Sequence, residues 1–189
     1  MEVFYMKNEN KAIIPLRVSI CLSALVALSI VCGKYLAINI PPVMRFSFES
    51  MPIIFAGIVF GPVAGAIVGV VADLVGCLLV GYETIPLITI GAGLIGLSSG
   101  VMGIAFRKKD GYGIAQIALS TLLAHAVGSV VVKTLGLAEF YAMPFYALLL
   151  WRTLNYAIIG VLEILILYFL LKNSNVRRAI ERIKRGNKR

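Results

Sequence analysis

Lys34, Arg45, Lys133 and Arg152 stand in or beside apolar runs long enough to make charge expensive. Ionisable groups at membrane depth normally pair, line a water-filled cavity, or serve a site. Four cations gathered at one end of a helix bundle would make a pocket for an anionic solute. Glu49 and Asp73 are carboxylates in the same part of the chain pattern. Asp73 lies about 12 Å below the outer end of its helix at a rise of 1.5 Å per residue. It can pair with Arg152 or Lys133 as a buried ion pair, or meet a ligand. Arg152 lies at a similar depth, with Asn155 a turn deeper. His125 and Lys133 are eight residues apart with Ser129 between them, so the three share roughly one side of a helix. Glu163 stands alone deep in the last apolar run, suited to a structural hydrogen bond or a contact with a partner subunit.

Aromatic side chains gather at the same end: Phe46, Phe48, Tyr82, Phe140, Tyr141, Phe145, Tyr146 and Trp151. Part of this set suits the interfacial belt of any membrane protein. Those beside Arg45 and Arg152 suit stacking on a flat ligand. Catalytic signatures are missing. The chain has no Gly-x-x-x-x-Gly-Lys-Ser/Thr phosphate loop, no His-Glu-x-x-His and no Gly-x-Ser-x-Gly. One histidine and three apolar-flanked cysteines (Cys21, Cys32 and Cys77) do not make a metal site. The cysteines read as packed thiols. We therefore expect no catalytic residue, no metal and no cofactor. An intramembrane enzyme using Asp73 and His125 as acid and base would lack a nucleophile or metal cluster.

The elements that must position these residues are membrane helices. The chain of 189 residues is 60% hydrophobic and 14% charged, with a mean hydropathy of +0.94. A soluble domain of this size needs more polar surface. A span needs roughly 20 mainly apolar residues. The pattern predicts an all-α integral membrane bundle of six transmembrane helices, at 16–36, 48–60, 62–80, 86–106, 114–135 and 144–171. The second is short for a span. Residues 1–172 would form the substrate-binding domain and 173–189 a basic tail, read as an amphipathic helix touching anionic lipid. No surrounding fold presents the tail to nucleic acid, so no nucleic-acid partner is expected. Lys7, Glu9 and Lys11 lead into the first run with no small-residue cleavage site, so no cleaved signal is expected.

Apart from the first four cations, the other fourteen Lys and Arg fall in three places: the N-terminal segment, Arg107-Lys108-Lys109, and the stretch from Lys172 on. Six spans put all three on one side, and the positive-inside rule makes that side cytoplasmic, with both termini there. The four membrane-depth cations then lie toward the outside of a bacterial plasma membrane. Loops 37–49, 81–85 and 136–143 would surround the mouth, the first stiffened by Pro41 and Pro42.

Small residues repeat along the helices. Gly65, Gly69, Ala72 and Gly76 share a face of the third helix, and Gly91, Gly93, Gly96, Gly100 and Gly103 crowd the fourth; both read as close packing inside the bundle. Ser19, Ser23 and Ala27 make a stripe on the first helix, open to two readings: internal packing, or docking of a separate membrane subunit.

Arg45-Phe46-Ser47-Phe48-Glu49-Ser50-Met51-Pro52-Ile53 is followed by Ala56-Gly57, Phe60-Gly61-Pro62, Gly65, Gly69 and Ala72-Asp73-Leu74. With six short helices and the small-residue stripe, this resembles the folate-family S components of energy-coupling factor (ECF) transporters. Many folate members carry Pro-Gly-Phe-Thr where this chain has Pro86-Leu87-Ile88-Thr89. The resemblance implies a vitamin-binding membrane subunit that docks, through Ser19, Ser23 and Ala27, on a transmembrane coupling protein served by two ATPase subunits. Folate or a related vitamin would be the substrate; the nearest alternatives are thiamine, pantothenate, riboflavin or a queuosine precursor. Its flat pterin would stack on aromatic side chains such as Phe48 and Tyr82. Asp73 or Glu49 would accept hydrogen bonds from the pterin edge. Arg45, Lys133 or Arg152 would hold the glutamate carboxylates, with His125 and Asn155 completing the expected site.

Overall fold

A computed structural model of the chain describes residues 16–40, 44–107 and 111–185. Lys7, Glu9, Lys11, Pro41, Pro42, Lys108, Lys109, Lys188 and Arg189, which entered the orientation and loop arguments, lie outside the described residues. The elements run α1 (Leu16–Ile30), a π-helical turn (Val31–Tyr35), strands β1 (Ile38–Ile40) and β2 (Met44–Phe46), α2 (Ser50–Phe60), α3 (Pro62–Val80) and α4 (Pro86–Ala105). Then follow α5 (Ile114–Ala124), a π-helical segment (His125–Val132), α6 (Lys133–Tyr141), α7 (Phe145–Lys172) and α8 (Ser174–Arg185).

Five stretches among the described residues are long and apolar enough to cross a membrane: Leu16–Tyr35, Pro62–Val80, Pro86–Ala105, Ile114–Tyr141 and Phe145–Lys172. The expected second span is not one of them. α2 has 11 residues, about 16 Å at 1.5 Å per residue, against a hydrocarbon core about 30 Å thick. Its chemistry explains its place instead. It is apolar all round, and such a helix belongs inside. Ser50 and every residue from Pro52 to Val59 are buried, in a core shared with Leu22, Val68, Ile95, Ile117 and Leu167. The outward faces of the longer helices carry exposed Val63, Leu78, Tyr146 and Phe169, the surface a lipid solvent accepts.

Glycine sets the contact of α3 with α4. A side chain on Gly96 would strike the backbone of Gly65, and one on Gly69 the carbonyl of Ala92. Gly57 of α2 faces Ser99 and the Gly96 carbonyl in the same layer. The backbones therefore touch, as small-residue faces permit. Pro62 and Pro86 open α3 and α4 where no intrahelical N–H is needed. Gly81 closes α3 in the left-handed conformation, φ 70°.

The loops differ from expectation. Residues 38–46 contain an antiparallel hairpin pairing Ile38 with Phe46, Asn39 with Arg45 and Ile40 with Met44. Residues 136–141, expected as loop, are helical. Gly136 reads as a breaker in the sequence, yet it marks a close approach, since a side chain there would meet Leu87 of α4. The chain turns only at Ala142, φ 52°. α8 folds back so that Ile180 is buried in the core beside Leu167 and Leu171, while Arg178 and Arg182 face outward. Burial, with Arg107 nearby, holds the Lys184 ammonium below the ordinary lysine range. Burial raises the Tyr112 hydroxyl above its usual range.

Candidate functional site

One end of the bundle holds a cavity of about 730 Å³, within the range of small-molecule sites. The π-helical turn after α1 supplies Lys34; β2 and its exit supply Arg45, Ser47 and Glu49. α3 supplies Asp73 and Cys77, and the tight link to α4 supplies Tyr82, Glu83 and Ile85. α6 gives Lys133, Phe140 and Tyr141, and α7 gives Trp151, Arg152, Asn155 and Tyr156.

The charges are paired unequally. Lys133 Nζ meets Glu49 Oε1 at 3.3 Å, both largely shielded. Gly33 makes room for this carboxylate, because any side chain there would collide with Glu49. The Glu49 carbonyl accepts from Ser29 Oγ at 2.8 Å, tying the start of α2 to α1. Asp73 does not pair with Arg152 or Lys133. It accepts from Thr89 Oγ1 at 2.7 Å, because α3 and α4 are pressed together by their glycines while Lys133 reaches across to Glu49.

Lys34, Arg45 and Arg152 form no ion pair with a carboxylate among the described residues. Lys34 Nζ lies 3.6 Å from Cys77 Sγ and 5.6 Å from the centre of the Tyr82 ring. Arg152 donates from Nη2 and Nε to the Ser129 carbonyl at 2.8 and 3.3 Å. Its guanidinium also lies 5.2 Å from the centre of the Tyr156 ring. Sulfur, carbonyl and ring faces orient a cation without neutralising it. Two polar atoms of lining residues, Arg45 Nε and Asn155 Oδ1, are buried with no hydrogen-bond partner among the described residues. Arg45 is otherwise held through Nη2 on the Gly33 carbonyl, and Asn155 Nδ2 donates to the Arg45 carbonyl at 2.8 Å. The hairpin is thereby fastened to α7. The cavity so offers cations and aromatic walls. That inventory binds and orients an anionic, flat-ringed molecule. No group of three or more His, Cys, Asp or Glu among the described residues is placed to hold a metal.

Of the residues expected from sequence, Arg45, Glu49, Asp73, Tyr82, Lys133, Arg152 and Asn155 line this cavity. Phe48 and His125 do not. Phe48 precedes α2, half-buried, and His125 is turned into the bundle, 4% exposed. Glu163 is not alone: its Oε2 lies 2.7 Å from His125 Nε2. The π-helical segment explains the pairing, since its wider turn changes which residues face α7 and no periodic pattern announces it. Tyr156 and Trp151 also line the cavity. Tyr156 was legible in principle, being one turn beyond Arg152 on the same helix.

Comparison with known proteins follows the same lines. A family model described as "ECF transporter, substrate-specific component" matches residues 17–171. A solved structure described as "Crystal structure of FolT bound with folic acid" superposes with a TM-score of 0.68 at 24% identity, covering 84% of this chain and 93% of the other. A second, "Structure and mechanism of the S component of a bacterial ECF transporter", gives a TM-score of 0.58 at 24% identity, covering 83% and 98%. At such identity these likenesses speak for the fold. Among curated proteins, none matches the sequence.

Proposed function

This chain belongs to the substrate-specific components of ECF transporters, and from that premise we propose that it is the folate-binding membrane subunit of such an importer. The family is a transporter's substrate-binding component rather than an enzyme, and the apolar helices make it a membrane protein. The observation that carries the ligand reading is one cavity that joins three cations without an ion pair among the described residues, Lys34, Arg45 and Arg152, to aromatic walls. Folate carries two carboxylates at one end and a flat pterin at the other. Arg152 presents a planar fork suited to a carboxylate, and Lys34 a second point charge. Arg45, Lys133 and Glu49 form the charged floor. Tyr82, Trp151 and Tyr156 offer faces for the pterin, and Asp73 an acceptor for its amino edge. The folate-bound relative of the same fold supports this choice of vitamin.

In this reading the cavity opens to the outside of the plasma membrane, both termini are cytoplasmic, and α2 sits within the bundle as a sixth, partial crossing. The subunit docks through Ser19, Ser23 and Ala27 on a transmembrane coupling protein that two ATPases drive. Ser23 and Ala27 are exposed on α1, and Ser19 is half-buried, which suits an outward docking face better than internal packing.

The test is a binding panel on the purified chain. Trp151 is the sole tryptophan and lines the cavity, so its fluorescence reports occupancy. Folic acid is expected to quench it with a Kd in the nanomolar range, roughly −12 kcal/mol. Thiamine, pantothenate, riboflavin and a queuosine precursor serve as competitors. Tight binding of one of these, with folic acid inert, overturns the choice of vitamin.

A further inference from the structure

Behind the cavity runs a polar seam between the π-helical segment and α7. Glu163 is fully buried, and His125 and Ser129 are 4% and 0% exposed. Glu163 Oε2 lies 2.7 Å from His125 Nε2, and His125 Nδ1 lies 3.2 Å from Ser129 Oγ. The imidazole stacks on the Tyr156 ring, with centroids 4.9 Å apart and planes at 29°. Two of the imidazole's three partners also contact Arg152. Ser129 gives it a carbonyl at 2.8 Å, and Tyr156 gives it a ring face at 5.2 Å and a hydroxyl at 3.4 Å.

A buried carboxylate and imidazole are costly to desolvate, and apolar side chains of similar volume are often as stable in their place. Neither residue reaches the cavity. Glu163 Oε1 is buried with no hydrogen-bond partner among the described residues. We infer that Glu163 and His125 are positioning residues for the ligand's anion site, holding the Tyr156 ring and through it fixing the Arg152 guanidinium toward the cavity. The mechanism is geometric. Glu163 orients the imidazole, the imidazole sets the Tyr156 ring plane, and the Tyr156 ring and hydroxyl, beside the Ser129 backbone carbonyl, direct Arg152. A guanidinium already held in place loses less entropy when a carboxylate arrives. The inference rests on Arg152 meeting the ligand's carboxylate, as proposed above.

The test is a double-mutant cycle on the full chain in lipid nanodiscs, with folic acid as probe and Trp151 fluorescence as readout. Glu163→Leu is expected to lower affinity about tenfold in the native background and less than about twofold in an Arg152→Gln background, because coupled residues are non-additive. Glu163→Gln, which keeps a hydrogen bond to the imidazole, should stay within about threefold of the native chain. Equal losses in both backgrounds, or a Gln loss as large as the Leu loss, overturn the inference. If Glu163→Leu does not fold by circular dichroism, His125→Gln severs the same path and is judged by the same criteria. A ligand-free arm separates this inference from the choice of vitamin. The Arg152 Nε–H resonance, assigned by its loss in Arg152→Gln, should shift in Glu163→Leu; an unchanged resonance overturns the positioning role. Failure of the native chain to bind folic acid sinks the folate reading, and the resonance still decides this one.

Discussion

Arg152 and Arg107 carry the same charge in opposite settings. The first lines the cavity; the second is exposed at the end of α4. Arg152→Ala should therefore weaken folic acid binding by about 2–5 kcal/mol, while Arg107→Ala leaves it unchanged. Calorimetry on monodisperse protein checks this, and equal dissociation constants for the two variants would remove Arg152 from the site. Lys133 and Glu49 make a different prediction because each neutralises the other. Removing one strands a shielded charge, so Glu49→Ala or Lys133→Ala should cost about 3–5 kcal/mol of stability. The double replacement by Met should recover most of that loss in denaturant unfolding. If the double variant is as unstable as the sum of the singles, the 3.3 Å contact is not an energetic pair.

At the level of elements, the contact of α3 with α4 depends on the absence of side chains. Gly96→Val would drive two methyl groups into the Gly65 backbone. The expected result is a misfolded or aggregated chain, seen as loss of the monodisperse peak on size exclusion. Retention of native elution and ligand binding would mean that the two helices slide apart cheaply. α1 makes the opposite prediction, since its small residues at Ser23 and Ala27 face outward. Ala27→Trp or Ser23→Trp should leave ligand binding within about twofold yet abolish capture by the coupling protein, because close helix approach admits only small groups. A tryptophan variant that loses ligand binding but still captures the partner would place the stripe inside the bundle.

For the whole molecule the question is energy. A cavity can bind a vitamin, yet binding alone moves nothing uphill. The chain has no phosphate loop. Reconstituted alone, it should bind folic acid and fail to accumulate it in proteoliposomes. Adding the coupling protein and ATPases, with ATP inside, should start accumulation. Concentrative uptake by this chain alone, driven by a proton or sodium gradient, would make it a secondary transporter and end the subunit reading.

Membrane residence, the all-helical class and most of the cavity's charged lining were readable from the chain itself. Bilayer thickness and the cost of buried charge are local constraints, and they act on each run of residues independently of its neighbours. Apolar run length marks α1, α3, α4 and α7, and the misplaced cations mark Arg45, Lys133 and Arg152. Burial of α2 was decided by tertiary packing, because an apolar run of marginal length looks the same inside a bundle as across a bilayer. Partner choice was also tertiary. Lys133 reaches Glu49, Asp73 takes Thr89, and Glu163 finds His125, across sequence separations that hydropathy does not encode. The π-helical segment is the sharpest case. A wider turn over His125–Val132 changes which residues face α7. The segment packs against α4 and α7, whereas intrinsic propensity favours the ordinary helix.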